Sequence, residues 1–316
     1  WLKCGFCTML STAPIRRGQF TPPAGDCSRL EEHVRELARW LSSNGPAVVL
    51  SGAGMSTESG IPDYRSPQGS YSKGHKPIQN AQFMKSADAR RRYWARSTLG
   101  YPFLLSRTPT KAHFAVHELE KRGLVSGVVT QNVDGLHTKA GSHPVELHGS
   151  LHSVGCTSCC FQTSRVEYQG RLISANPGWE EFHCATDGGV SSRADGDWAV
   201  DVDEVRFEVP GCPECGGVLK PSIVFFGGSI DEAVKIRAQR AVDEGCGLLV
   251  MGTSLETYSA YKLALDSAKR VPVCVVNIGP TRLARADASL FAHGQPLLLE
   301  QQVGSLLPAV VTAIGE

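Results

Sequence analysis

An apolar pentapeptide, Ala47-Val-Val-Leu-Ser51, runs without a break into Gly52-Ala-Gly54 and on through Ser59-Gly-Ile-Pro-Asp-Tyr-Arg65. The apolar run reads as a strand. A turn of small residues at its end lets backbone N–H groups approach a ligand closely, so an anion such as a pyrophosphate can lie there. With Gly60 as the next glycine, the spacing does not match G-x-G-x-x-G. A tight strand end without a ligand is therefore the competing reading. Ser59, Asp63 and Arg65 crowd polar groups around the rigid Ile61-Pro62 turn.

The rest of the chain repeats that strand with helices between. Ser28 and Glu31 make a capping-box signature, and Leu30, Val34, Leu37 and Leu41 recur on one helical face until Asn44-Gly45-Pro46 stops it. Thr110 caps a helix running to Arg122, Gly123 stops it, and a strand follows over 124–130. Apolar runs return at 247–252 and 271–278, with a helical pattern over 258–269 between them. This order predicts an α/β chain built on a Rossmann-like, doubly wound parallel sheet. Two stretches break the rhythm. Residues 150 to 220 carry two C-x-x-C pairs, short polar strands and the acidic run from Asp195 to Glu204, and read as a small inserted module. Residues 65 to 106, rich in Arg, Tyr and Gln, read as a helical insertion flapping over the glycine-rich turn.

Composition narrows the function. The 316 residues hold 32 basic and 31 acidic side chains, a balance that argues against a broad nucleic-acid or membrane footprint. No apolar run reaches the roughly 20 residues of a membrane span. The 11 cysteines are spread through the chain, and two pairs have knuckle spacing, which favours reduced thiols and metal over disulfides. The first 25 residues contain Lys3, Arg16 and Arg17 and no acid. They resemble the end of a mitochondrial presequence, with a plain flexible tail as the alternative.

Cys156-x-x-Cys159 and Cys212-x-x-Cys215-Gly-Gly supply four thiolates in two knuckles, the donor set of a closed tetrahedral zinc site. A metal with every position filled by sulfur holds a module together and does no chemistry. Cys160 and His183-Cys184 are weaker rivals as ligands. Thr130-Gln-Asn-Val-Asp-Gly-Leu-His137 falls where a strand ends, the ligand edge of such a sheet, and Gln131, Asn132 and Asp134 can bind hydroxyls or an amide. A polar loop capped by its own side chains is the alternative. His148, followed by Gly149, is the candidate general base and His137 its rival; spacing does not decide between them. Gly252-Thr-Ser254 and Asn277-Ile-Gly279 end two further strands with turns suited to ribose and phosphate.

Together, G-A-G-x-S with S-G-I-P-D-Tyr-R at 52–65, T-Q-N-x-D at 130–134, H-G at 148–149, the two knuckles, and G-T-S and N-x-G in order resemble the sirtuins, NAD-dependent protein lysine deacylases, from about residue 30 to 295. Lys76-Pro-Ile-Gln, Arg92-Tyr-Trp-Ala-Arg96 and Asn277-Ile-Gly-Pro-Thr-Arg282 look most like the mitochondrial class II, type 4 branch of that family. The resemblance implies a flexible segment at 1–27, an NAD-binding Rossmann-like domain at 28–150 and 220–316 with the insertion at about 66–106, and a zinc-binding small domain at 151–219. It implies His148, Asn132 and Asp134 as catalytic residues. NAD contacts are implied for Gly52, Ala53, Gly54, Ser59, Ile61, Asp63, Tyr64, Arg65, Gln131, Asn132, Val133, Asp134, Gly252, Thr253, Ser254, Asn277, Ile278, Gly279 and His293. It further implies zinc on Cys156, Cys159, Cys212 and Cys215, and an acyl-lysine peptide pairing with Val224, Phe225, Phe226 and Gly227 in β-augmentation. In the implied reaction the acyl oxygen attacks C1′ of the nicotinamide ribose, nicotinamide leaves, and His148 activates a ribose hydroxyl on the way to free lysine and O-acyl-ADP-ribose.

Three departures stand out. Tyr64 occupies a position where many relatives have Phe, and Gly228 one where an acidic residue is usual. Tyr71 stands where succinyl-specific relatives have a Tyr, but Gly74 stands where they carry an Arg. A short dicarboxylate clamp is therefore not expected, and lipoyl-like or branched acyl groups are, unless Lys73, Arg91, Arg92 or Arg96 reaches the acyl end. The alternatives are a mono-ADP-ribosyltransferase using the same pocket, a non-catalytic NAD-sensing zinc scaffold and, weaker because the module is acidic, a zinc-ribbon nucleic-acid binder. No nucleic-acid or membrane partner is expected, and the mitochondrial matrix is the expected location.

Overall fold

The computed structural model describes residues 29–74, 76–179 and 206–315. The expected N-terminal segment, the Ser28 cap, His183-Cys184 and the acidic run from Asp195 lie outside the described residues.

Helix α1 (Leu30–Asn44) buries Leu37 and Leu41; its N-cap is Arg29 without a side-chain cap, and Glu31 and Glu32 face the positive end of its dipole. Strand β1 (Ala47–Ser51) is buried throughout, as the apolar run requires. Helices α2 (Asn80–Lys85), α3 (Ala87–Leu105) and α4 (Lys111–Lys121) follow. The Thr110 hydroxyl caps α4 by accepting from His113 N–H. Then come β2 (Val125–Thr130), α5 (Leu136–Lys139) and β3 (Val145–Glu146), and the run β4 (Gly149–Cys156), β5 (Gln162–Ser164), α6 (Arg165–Ala175) and β6 (Leu219–Ile223). The chain closes with α7 (Glu232–Glu244), β7 (Gly247–Met251), α8 (Tyr258–Ala268), β8 (Val273–Val276), β9 (Leu297–Leu299) and α9 (Val303–Gly315).

Six strands form one parallel sheet in the order β3-β2-β1-β7-β8-β9. Successive residues of a strand face opposite sides. Val49 and Leu249 accordingly join Leu37, Leu119 and Leu306 in a core on one face. Val48, Leu50, Leu248 and Val250 join Val242 and Leu263 on the other. The order reverses direction between β1 and β7, which opens a crevice at their carboxyl ends.

A second, antiparallel sheet has the order β5-β4-β6. The 65–106 stretch, expected as a helical flap over the glycine-rich turn, also packs on the cysteine-bearing module. Phe83, Tyr93 and Trp94 of α2 and α3 share a core with Tyr168 and Leu219 of that module and with Phe225 just beyond it. Backbone groups seal that union: Trp94 Nε1 donates to Leu219 O at 3.3 Å and Gln169 Nε2 to Thr98 O at 2.7 Å. What remains over the glycine-rich turn is the connecting run from Tyr64 to Ile78.

Candidate active site

A cavity of about 890 Å³ occupies the crevice, within the size range of small-molecule sites. Its floor is made by four strand ends. Gly52–Gly54 follow β1, Gln131–Val133 follow β2, Gly252–Ser254 follow β7, and Asn277–Gly279 follow β8. Asp63, Tyr64, Arg65 and Tyr71 form one wall, Val224–Gly228 another, and His148 stands between them. Gly54 N donates to Gly252 O at 2.8 Å and Gln131 Nε2 to Thr253 Oγ1 at 3.0 Å, so three of the four ends are tied together. Leu255, fully buried, is held at φ +56 while its N–H donates to Thr253 Oγ1. Left-handed backbone at a leucine is strained, and the surrounding structure fixes it.

His148 is better defined than its rival. Its Nδ1 lies 3.1 Å from Gln131 O. A carbonyl only accepts, so Nδ1 carries the proton and Nε2 the lone pair. Nε2 faces Ser259 Oγ at 3.3 Å. Burial holds the His148 pKa below its usual value, against the pull of the Gln131 carbonyl, which raises it. The imidazole is therefore a neutral base on the cavity wall. His137, by contrast, is buried behind β1, with Nε2 2.9 Å from Ser51 Oγ and its ring centroid 4.6 Å from that of His113. Burial pushes its pKa to about 4, and it does not line the cavity.

Asn132 is on the wall, its amide fixed by donating to Gly52 O at 3.0 Å and Ser56 Oγ at 3.1 Å. Asp134 is not. It lies beneath the loop, accepting from Ser56 Oγ at 2.6 Å and from Leu136 N at 2.9 Å. Burial raises its pKa, and those two hydrogen bonds oppose the rise. Three other expected NAD contacts also lie off the wall. Ser59 turns away to donate to Thr108 O at 2.6 Å. Ile61 is drawn into the aromatic core of the small module. His293 is exposed beyond β8, donating through Nε2 to Arg270 O.

The Val224–Gly227 segment continues β6 past the base, with Val224 N donating to His148 O at 2.9 Å. One of its edges is already engaged within the chain, since Phe226 bridges Gln79 in parallel and accepts from Asn80 N at 2.8 Å. A peptide strand added here, as the sequence leads one to expect, would have to use the other edge. The residues expected to reach a distal carboxylate, Lys73, Arg91, Arg92 and Arg96, are not part of the wall; its cations are Arg65, Lys235 and Arg285. Lys235 pairs with Glu232 and Arg285 with Glu256. Lys235, Arg285 and Ser259 did not stand out in the sequence, where each is one polar residue in an ordinary helix or turn, and Ser56 was marked only as the serine of the G-A-G-x-S motif, with no role given to it.

Cys156, Cys159, Cys212 and Cys215 bring their sulfurs within 4.8 Å of one another. Neighbouring pairs lie 3.4 to 3.6 Å apart. Zinc–sulfur bonds of 2.3 Å in a tetrahedron require about 3.8 Å between sulfurs, so the donor set and its spacing fit zinc. Ser158 N–H, at 3.3 Å, points at Cys156 Sγ, and Cys160 stands apart from the cluster.

Comparison with known proteins places these features together. The Sir2 family profile matches residues 52–259. An NAD-dependent protein deacylase SIR4 of Monosiga brevicollis is 45% identical over 288 residues, 89% of each chain. The NAD-dependent protein lipoamidase sirtuin-4, mitochondrial, of Bos taurus is 41% identical over 310 residues, 96% of this chain and 91% of its own. A solved complex of Sir2 with p53 peptide and NAD+ superposes with a TM-score of 0.66 at 26% identity, covering 89% of this chain and 98% of that one.

Proposed function

The chain belongs to the Sir2 family, and we propose that within it this protein is an NAD-dependent protein lysine deacylase that favours larger acyl groups over acetyl and succinyl. The observation that carries the reading is the tautomer of His148. The Gln131 carbonyl fixes Nδ1–H, which leaves the Nε2 lone pair on the same wall as the glycine turn and the Val224–Gly228 segment.

NAD, when bound, supplies an electrophilic ribose carbon with nicotinamide as its leaving group. The chain supplies the rest. The Gly52 and Gly54 N–H groups are taken by Met251 O and Gly252 O, so the glycine turn offers close backbone approach and the Ala53 N–H, with Arg65, Thr253 and Asn277 as further polar groups on the cavity suited to pyrophosphate and ribose. Asn132, locked by Gly52 and Ser56, gives the floor a rigid amide. His148 accepts a proton at Nε2, a contribution typically worth 10²–10⁴-fold. Zinc on the four cysteines holds the small sheet and takes no part in the chemistry. Asp134 acts from behind, through Ser56.

The acyl preference is supported by the lipoamidase names of the bovine and human relatives and by Gly74, which supplies no guanidinium three residues after Tyr71. Mitochondrial placement is supported by the same relatives' names. Nicotinamide release, measured with acetyl-, succinyl-, branched-acyl- and lipoyl-lysine peptides, tests the reading. The lipoyl or branched peptide is expected to give the highest kcat/KM. Succinyl ahead by tenfold overturns the preference, and a mass gain on an acceptor protein without acyl loss turns the assignment to ADP-ribosyl transfer.

A further inference from the structure

The loop that carries Asn132 and Asp134 is gripped from the small sheet by one side chain, His152 of β4. Its Nε2 lies 2.8 Å from Asp134 O, so Nε2–H donates, and Nδ1, 3.2 Å from the Tyr101 hydroxyl, accepts. The neutral ring is thus used at both nitrogens. Burial favours the neutral form, as do the charges of Lys139 and Arg165, while Asp134 and its carbonyl act against it. The ring also packs on Gly135, whose φ is +69 and whose missing Cβ would stand 2.8 Å from His152 Cδ2. One residue earlier, Leu151 N donates to Val133 O at 2.9 Å, so β4 holds the loop twice.

The other side of His152 is as firmly set. Tyr101 on α3 lies beneath the Arg165 guanidinium, 4.4 Å from its ring centroid. Arg165, at 1% exposure, is held by Gln169 Oε1 and by the backbone and hydroxyl oxygens of Ser97. A continuous path therefore runs from α6 of the cysteine module through Arg165, Tyr101 and His152 to the loop, and on through Asp134 and Ser56 to Asn132.

We propose that His152 is a positioning residue for deacylation: through the Asp134 carbonyl and Gly135 it fixes the loop that presents Asn132 to the cavity, and through Tyr101 it ties that loop to the cysteine-bearing module. NAD handling then depends on the integrity of the small sheet. The inference rests on the deacylase reading, and its test is read from NAD binding as well as turnover.

His152→Leu removes both hydrogen bonds at similar volume, whereas His152→Gln keeps a donor and an acceptor. His152→Leu loosens the loop and raises the calorimetric Kd and the KM for NAD roughly three- to tenfold. Zinc stoichiometry and peptide KM stay unchanged, and His152→Gln recovers most of the loss. Tyr101→Phe, which deletes one hydroxyl and poses little threat to folding, shifts the NAD parameters in the same direction. Gly135→Ala, whose Cβ would press on the His152 ring, weakens NAD binding in the same direction. Wild-type NAD affinity and KM in His152→Leu and Tyr101→Phe overturn the proposal. So does a lower melting temperature shared by His152→Leu and His152→Gln with no change in NAD parameters. Wild-type protein that binds NAD without deacylating sinks the deacylase reading and leaves the NAD-binding arm of this test standing.

Discussion

Gly149→Ala probes the junction on which the site depends. Gly149 has φ +79, and a Cβ there would lie 2.0 Å from Ser222 O, in the backbone of the neighbouring strand. Left-handed backbone costs an alanine about 1–2 kcal/mol. The collision adds to this, because β4 and β6 must part by more than an ångström to restore ordinary contact. That movement strains the hydrogen bond from Val224 N to His148 O, now 2.9 Å, whose loss costs about 1 kcal/mol. The sum is roughly 2–3 kcal/mol, a fall in melting temperature of roughly 3–5 °C for a chain of this size. Activity falls further, since the strands that separate carry the base and the Val224–Phe226 wall, and a 1 Å misplacement costs on the order of 10²-fold in rate. Gly178→Ala is the control: its φ is +80 with nothing within 4 Å, so it pays the strain alone. Thermal unfolding and nicotinamide release are measured on both variants. A Gly149→Ala protein as stable as Gly178→Ala and within twofold of wild-type turnover refutes the reasoning.

His148→Ala is expected to lower turnover on the order of 10²–10⁴-fold with an unchanged melting curve; near-normal turnover in the folded variant removes His148 as the base. The base works only when neutral and burial lowers its pKa, so kcat/KM should be flat above pH 6.5 and fall on an acid limb below it; a limb centred above 7 contradicts this. His137, with a folded pKa of about 4 against an unfolded value near 6.5, gives a stability that declines as pH drops from 6.5 to about 4, because the unfolded chain takes up the proton first. Denaturant midpoints across that range, compared with His137→Gln, should show the variant losing less. Cys212→Ser should lose zinc by metal analysis, melt earlier, and lose activity in proportion to its unfolded fraction; full stability with no zinc in the reduced wild type would mean that the four thiols hold the module unaided.

The central strands were readable because their burial is a local property of the sequence. Ala47–Ser51 and Gly247–Met251 are apolar runs short enough only for strands, and both lie wholly inside the sheet. The cysteine knuckles were readable for a similar reason, since C-x-x-C spacing sets the geometry of each ligand pair before any fold exists. The shared core of the helical insertion and the cysteine module was not. Trp94 and Leu219 meet across 125 residues, and no periodicity within either segment announces the other. Each stretch looked like an insertion because each breaks the strand–helix rhythm, yet the two breaks bury each other.

Within the site, sequence motifs marked loops more reliably than they marked contacts. The 130–137 run contains one residue on the wall with its amide locked, Asn132, one beneath it, Asp134, and one behind the sheet, His137. Their order in the chain gives no hint of this: Asn132 and Asp134 are told apart only by the partners they find, and the left-handed Gly135 turns the backbone before His137. The same holds at 59–65, where Asp63, Tyr64 and Arg65 reach the cavity while Ser59 and Ile61 face Thr108 and the aromatic core. A motif constrains every residue that keeps its loop in shape, including those that never meet the ligand. Asp134 illustrates this: its carboxylate holds Ser56, and Ser56 holds the amide of Asn132. Replacing Asp134 should therefore disturb NAD handling as strongly as replacing a residue that touches it, by releasing the groups that do.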